Sequence, residues 1–259
     1  MQRDSIDFSS SDVGKLFRRF LFPTVMGMVF SAVFVITDGI FVGRGIGSDA
    51  LASVNIVAPL FTLGTGLGLM FGMGGSVVAS INLAQGKRRV AEINITQSLA
   101  LPALLIALLI ALLIHCHEPL LMLLGTPGEL MVPAREYLVW FTLFLAPLAV
   151  FNILMFIVQL DGAPGFAMAC NIMAACINIA LDYLFIFVFE WGLAGAAVAT
   201  GIGYVVGSGV MLWYMFRRSR TLRFVKLKMS GKSMRLTVRN LWYMSYIGFP
   251  ALLSELAIS

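Results

Sequence analysis

Charged residues and cysteines are scarce in this sequence. Only 12% of its 259 residues are Asp, Glu, Lys or Arg, whereas a soluble domain has about 25%. Hydrophobic residues make up 59%, and strand-like alternation of apolar and polar residues is missing. This composition excludes an ordinary soluble domain and argues against a β-barrel, whose strands alternate. The three cysteines have no metal-ligand spacing, so neither a disulfide framework nor a metal centre is predicted.

Long apolar stretches are what the sequence has instead. A helix needs about 20 apolar residues to cross the ~30 Å hydrocarbon core of a bilayer. We predict an all-α membrane protein with seven spans, at residues 15–42, 51–81, 91–115, 130–160, 164–190, 193–217 and 239–259. The first stretch is too long for the apolar core of a signal peptide and no A-x-A-like site follows it, so we expect an uncleaved first helix.

Lysine and arginine lie mostly in links that are expected on one side of the membrane. Four are near the N-terminus, three are in residues 84–90 and nine are in residues 217–239, which leaves only Arg44 and Arg135 for the other side. The positive-inside rule then places the N-terminus in the cytoplasm. We expect a multi-pass protein of the inner (plasma) membrane. Because the positive charge is confined to links beside apolar helices, the lipid bilayer is the expected partner and nucleic acid is not.

The spans and links divide the chain into four parts. They are a cytoplasmic tail (1–14), a six-helix transmembrane lobe (15–217), a basic cytoplasmic linker (218–238) and a seventh transmembrane helix (239–259). Residues 15–28 and 240–253 faintly repeat each other, with an aromatic entry followed by Pro23 or Pro250. Two homologous lobes are common in transporters. We therefore expect the seventh helix to begin a second, C-terminal lobe that is incomplete here.

Polar residues inside the spans are the strongest functional signal. Asp38 and Asp182 lie deep in apolar stretches, where a charged group costs roughly 2.5–3.5 kcal/mol on insertion scales. Asp38 falls late in the first, outward-running span, and Thr200 falls early in the inward-running sixth. Asn178 and Asp182 fall late in the fifth span and, four residues apart, share one helix face. All four are expected at similar depth in the outer half of the membrane, and Asn171 continues the face of Asn178.

Carboxylate, amide and hydroxyl oxygens together suit a hard cation such as Na⁺. The same carboxylates, removed from water, could instead carry a proton, so the residues leave Na⁺ and H⁺ both open. Hydrogen bonding between helices is the alternative for Asn171 or Thr200 alone, but two aspartates at matched depth favour an ion site. Asn152, Asn171 and Glu255 are candidate cavity-lining residues. We expect no bound organic cofactor and no metal other than Na⁺ at this site.

Six segments carry a family resemblance. They are residues 36–59 (ITDGIFVGRGIGSDALASVNIVAP), 74–92, 124–129 (LGTPGE), 151–168, 178–187 (NIALDYLFIF) and 192–203 (GLAGAAVATGIG). In this order they resemble the MATE (multidrug and toxic compound extrusion) transporters, especially the branch with an acidic first helix. The resemblance implies a six-helix N-terminal lobe of a twelve-helix antiporter that works by alternating access. It also implies a cation site at Asp38, Asn178, Asp182 and Thr200, with Asn152 nearby.

Two features depart from the family pattern. Many members carry basic residues after the fourth helix, where this chain reads QLDGAPGF with Asp161 and no base. A cytoplasmic gate contact at that place is therefore in doubt. The chain also stops inside its seventh span, so a missing C-terminal lobe or a second copy would be needed to complete a transporter.

We therefore expect a Na⁺- or H⁺-coupled antiporter, not an enzyme, that exports small organic, cationic or amphiphilic drugs or metabolites. The main alternative is a truncated, inactive lobe or a membrane scaffold. A lipid-linked sugar flippase is less favoured because the spans hold no interior Arg or Lys. An intramembrane aspartyl protease is disfavoured because Asp182 follows Ile-Ala-Leu where G-x-G-D is expected.

Overall fold

The computed structural model describes residues 13–227 and 231–257. The predicted tail lies almost wholly outside the described residues, as do residues 228–230 of the predicted linker. The described regular elements are all helical, which confirms the predicted all-α class. The α-helices are α1 (Val13–Gly45), α2 (Ser48–Ala84), α3 (Arg88–His115), α4 (His117–Leu123), α5 (Met131–Leu160), α6 (Pro164–Asp182), α7 (Gly192–Arg217) and α8 (Gly231–Leu256).

Six stretches of the described chain are long and apolar enough to cross a membrane. They are Val25–Gly45, Ser48–Ala84, Arg88–His115, Gly128–Leu160, Pro164–Val188 and Gly192–Arg217. Each coincides with one of the first six predicted spans, so the six-helix lobe is confirmed. The predicted seventh span corresponds to α8, which is not among these six stretches. Helix α8 begins at Gly231 rather than near residue 239. Its first two turns therefore consist of residues that we predicted to be part of the basic linker.

Helix α5 lies at the centre of the lobe, packed between α2 and α7. Its side chains Leu145, Leu154 and Ile157 are fully buried. Helix α2 approaches it closely because small residues face each other. A Cβ atom added at Gly68 would lie 3.1 Å from the Cα of Ala149, so a larger residue there would push the two helices apart.

Helix α6 does not end at Asp182 but widens into a π-helical turn over Tyr183–Val188. The backbone N–H of Phe189 donates to the carbonyl of Leu184, five residues earlier, at 2.9 Å. Such wide turns are rare and are frequent at functional sites. Here the turn begins directly after a buried aspartate, and α1 packs along the same helix.

Helix α8 packs on α2 and α3. Its Asn240 Nδ2 donates to Asn94 Oδ1 at 2.7 Å and to Gln97 Oε1 at 2.6 Å, and Gln97 Nε2 donates to Thr237 Oγ1 at 2.8 Å. Asn94 and Gln97 are buried. Since unpaired amides are costly away from water, this polar cluster fixes the register of α8 against the lobe.

Candidate functional site

The two membrane aspartates meet where α1 crosses the end of α6. Their carboxyl groups lie within hydrogen-bonding reach of each other, and Asp182 is fully buried. Two ionised carboxylates have no proton to donate, so at this separation they repel each other. A proton or a cation shared by the pair removes that repulsion, which makes the pair a place where either can be held.

Three oxygens of this pair and its neighbour lack a donor. Asp182 Oδ1, Asp182 Oδ2 and Asn178 Oδ1 are buried and form no hydrogen bond of good geometry within the described residues, although the Asn178 side chain lies close enough to interact with the Asp182 carboxylate. Asn178 lies one turn before Asp182, on the same face of α6. Buried polar atoms in folded proteins are normally paired. Three unpaired acceptors in one place therefore point to a ligand that carries positive charge or a proton.

Thr200 of α7 orients the asparagine. Asn178 Nδ2 donates to Thr200 Oγ1 at 2.9 Å, so the nitrogen end of the amide is held and its oxygen end is left over. The close approach of α6 and α7 at this level depends on Gly203. A Cβ atom added there would lie 2.9 Å from the carbonyl oxygen of Ala174.

A cavity of about 260 Å³ opens beside these residues. Its wall is mainly apolar and includes Phe34, Phe61 and Phe151. The polar side chains in the wall come from five helices: Thr65, Asn152, Asn171, Asn178, Thr200, Tyr204 and Glu255. An apolar cavity with a few converging polar groups is typical of a small-molecule site, and Asn178 and Thr200 belong to both the cavity wall and the surroundings of the acid pair.

The structure thus brings together the four predicted cation-site residues, Asp38, Asn178, Asp182 and Thr200. It places the other three candidates, Asn152, Asn171 and Glu255, on the wall of the cavity. Asn171 Nδ2 also donates to the carbonyl of Gly27 in α1 at 3.5 Å, and Asn152 Nδ2 donates to Leu148 of its own helix at 3.1 Å. Within the described ranges no group of three or more His, Cys, Asp or Glu is arranged to hold a metal ion.

Two tyrosines near the acid pair were not predicted from the sequence. Tyr137 of α5 interacts electrostatically with Asp38 and Asp182, and Tyr204 of α7 interacts with Asp38. Tyr204 follows Thr200 by four residues, so helix periodicity could have placed the two on one face. Tyr137 lies near the start of α5, but its acidic neighbours come from α1 and α6, and helix periodicity cannot align residues of different helices.

Asp161 lies where this chain departs from the family pattern, and it has a structural role. It is buried and accepts hydrogen bonds from the Tyr214 hydroxyl at 2.9 Å and from the Thr221 hydroxyl at 2.8 Å. It also accepts from the backbone N–H groups of Arg220, Thr221 and Leu222, at 2.8, 2.8 and 3.0 Å. The loop between α5 and α6 therefore holds the chain that leaves α7.

Six membrane-crossing helices, a polar cavity and a buried acid pair define a lobe of a membrane transport protein. The MatE family model matches residues 23–184. That is more than half of the sequence, so the chain belongs to the MatE family, a family of transporters and not of enzymes.

Relatives with curated names and solved structures agree with this membership. The chain is 30% identical over 255 residues to the multidrug export protein MepA of Staphylococcus saprophyticus, which covers 96% of this chain and 54% of that protein. It matches the outward-facing structure of a multidrug resistance MATE transporter at 25% identity with a TM-score of 0.83, over 95% of this chain and 53% of the other. It also matches an inward-facing structure of a multidrug resistance MATE transporter at 25% identity with a TM-score of 0.75. This match covers 86% of this chain and 50% of the other. The chain spans about half the length of the curated relatives it matches.

Proposed function

We propose that this chain is the N-terminal half of a MATE-type antiporter that exports small organic, cationic or amphiphilic compounds in exchange for Na⁺ or H⁺. The observation that carries the proposal is the set of donorless buried oxygens on Asp182 and Asn178 beside Asp38. They adjoin a cavity lined by aromatic and amide side chains. The name of the staphylococcal relative, a multidrug export protein, supports the same function for the whole transporter.

In this proposal the acid pair holds the coupling cation or proton. The oxygen donor set fits Na⁺, which prefers carboxylate, amide and hydroxyl oxygens. Asp38 and Asp182 would supply charge, Asn178 Oδ1 a neutral ligand, and Thr200 the hydrogen bond that keeps that oxygen turned toward the pair. Each residue acts through its position, and no covalent step is involved.

Coupling to transport follows from where Asp38 lies. It is carried by α1, whose membrane span is largely exposed in this lobe and which also contributes Phe34 and Val35 to the cavity wall. Repulsion between two ionised carboxylates pushes α1 away from α6, and a shared cation draws them together. Loading and unloading of the pair would therefore change the cavity wall, which is what alternating access requires.

The same proposal includes a location and further partners. The N-terminus would face the cytoplasm of a cell whose plasma membrane holds the chain, in agreement with the distribution of Lys and Arg. A C-terminal lobe or a second copy would cover the cavity. Exposed apolar side chains on α8, such as Trp242 and Tyr246, support a protein or lipid neighbour on that side.

Transport by the reconstituted chain tests the proposal. We expect liposomes that contain the wild-type chain to move a fluorescent organic cation when a Na⁺ or proton gradient is imposed. Asp38→Asn and Asp182→Asn should abolish this transport, because each removes the charge that holds the coupling ion. Glu129→Gln, which changes an exposed carboxylate in an outer link, is the matched control and should transport like wild type.

Two results would contradict the proposal. Undiminished transport in both aspartate variants would mean that the acid pair does not couple transport to a cation. Correct insertion of the wild-type chain without any transport would contradict transport by this chain alone; the chain would then be an inactive lobe or membrane scaffold, or a half that needs its C-terminal lobe.

A further inference from the structure

The segment that follows α7, residues 218–227, is tied to the lobe along its length. Asp161 accepts hydrogen bonds from its first half, as described above. Val225 N–H donates to Thr96 Oγ1 of α3 at 3.1 Å. Leu222 is fully buried in the core, and the ring of Phe224 lies 5.6 Å from that of Phe216. The segment therefore follows one fixed path across the end of the helices, and its exposed side chains keep fixed positions.

Four exposed side chains at the end of α7 and along this segment are basic, and no ion pair with another described residue neutralises them. Arg217, Arg218, Arg223 and Lys226, called the basic surface below, are all exposed. In the part of the chain that the structure describes, the ion pairs of Lys, Arg and His involve other residues, namely Arg88, Arg89, His117 and Arg135. The sequence holds no acidic residue between Glu190 and Glu255.

Among the described residues, the acid that contacts this segment, Asp161, is already occupied by hydrogen bonds. Both carboxylate oxygens of Asp161 accept hydrogen bonds from backbone N–H groups and hydroxyls. It binds the backbone of the segment and leaves the guanidinium groups without a counter-charge. The basic surface therefore presents net positive charge toward whatever lies next to it.

The neighbouring side chains place this charge at the level of lipid headgroups. Trp213 is 50% exposed and Phe216 is 69% exposed, at the end of a membrane-crossing helix. Aromatic residues at such positions are typical of the membrane–water interface. The guanidinium carbon of Arg218 lies 5.3 Å from the centre of the Trp213 ring, so charge and apolar surface are adjacent.

We propose that the basic surface binds the phosphate headgroups of anionic phospholipids. Guanidinium groups match phosphate oxygens in shape and charge, and basic clusters next to a membrane span are attracted to anionic lipid. The rings of Trp213 and Phe216 would contact the acyl chains below. The inference needs only membrane insertion and does not depend on ion coupling or drug export.

A lipid titration tests this proposal on the purified, detergent-solubilised chain. Short-chain phosphatidylglycerol is added and binding is followed by tryptophan fluorescence, with phosphatidylcholine of the same chain length as the neutral comparison. The test variant carries Arg217→Gln, Arg218→Gln and Arg223→Gln. The matched control carries Lys87→Gln, Arg88→Gln and Arg89→Gln, which removes equal charge at the start of α3 and the residue before it. Circular dichroism and elution volume check that both variants remain folded.

We expect the test variant to bind phosphatidylglycerol at least tenfold more weakly than wild type, while the control changes affinity less than twofold. Added salt should weaken binding by the wild type, because the attraction is electrostatic. Equal affinities of wild type and test variant for phosphatidylglycerol would overturn the proposal. So would equally tight binding of phosphatidylcholine and phosphatidylglycerol by the wild type.

Discussion

At the scale of single residues, Asn178 links the acid pair to the cavity. Its amide nitrogen is held by Thr200, and its oxygen faces no donor among the described residues. A hydrogen bond between membrane helices contributes only about 0.6 kcal/mol on average. We therefore propose that Thr200 acts more by orienting Asn178 than by stabilising the fold.

Thr200→Val tests this role, because it keeps the shape of the side chain and removes the hydroxyl. With the amide free to turn, we expect the midpoint of a Na⁺ titration to rise about three- to tenfold, which is about 0.6–1.4 kcal/mol. The midpoint is read from the rise in melting temperature of the purified chain with Na⁺ at constant ionic strength. If protons are the coupling ion, the same shift is expected in a pH titration.

The control for this variant is Thr142→Val. Thr142 is buried, and its hydroxyl donates to the carbonyl of Leu138 within its own helix at 2.6 Å. It should leave the midpoint of the titration unchanged. An unchanged midpoint in Thr200→Val as well would show that Thr200 only packs.

Some site residues were predictable because their signal is local. Asp38 and Asp182 are charges in long apolar stretches, and Asn178 lies four residues before Asp182. Tyr137 carries no such signal, because a tyrosine at the end of a span looks like an ordinary interface residue. Which polar atoms are left without donors depends on the packing of several helices, so no pattern along one helix indicates it.

At the scale of elements, the buried carboxylate of Asp161 joins two connections that are far apart in sequence. It binds the loop after α5 to the start of the segment after α7. Hydrogen bonds to a charged acceptor contribute about 1.5–3 kcal/mol each. One side chain therefore holds the start of the segment that follows α7, residues 220–222, against the loop after α5.

Asp161→Asn should release this linker. The amide removes the charge and turns a donor toward backbone N–H groups, so we expect a loss of at least about 2 kcal/mol of stability. The measurements are a lower melting temperature and faster tryptic cleavage after Arg220 and Arg223. Glu136→Gln, an exposed change on α5, should alter stability by no more than about 0.5 kcal/mol. Cleavage of Asp161→Asn at the wild-type rate would contradict the assigned role.

Helix positions were largely predictable, and their irregularities were not. Apolar length and polar links located the six spans, since the bilayer fixes how long each must be. The π-helical turn over Tyr183–Val188 depends on which backbone groups form hydrogen bonds. The apolar run YLFIFV gives no pattern that predicts this. The short helix α4 forms in a polar link, where Leu121 is fully buried by the lobe.

At the scale of the whole molecule, the lobe exposes much apolar surface. On α1, Met28 is 67% exposed and Val35 63% exposed, and on α8 Trp242 is 76% exposed. Lipid or a second lobe must cover these side chains in a membrane.

The orientation of this lobe in the membrane gives a last prediction. Because Lys and Arg concentrate on one side, residue 85 should lie in the cytoplasm and residue 129 outside. Both positions are exposed, so Gln85→Cys and Glu129→Cys can be labelled without disturbing the core. Replacing the native Cys116 and Cys176 with Ser removes background, since Cys170 is buried. A membrane-impermeant maleimide should label Glu129→Cys in intact cells and Gln85→Cys only after permeabilisation. The reverse pattern would invert the topology and place the basic surface on the outer side of the membrane, against the distribution of Lys and Arg.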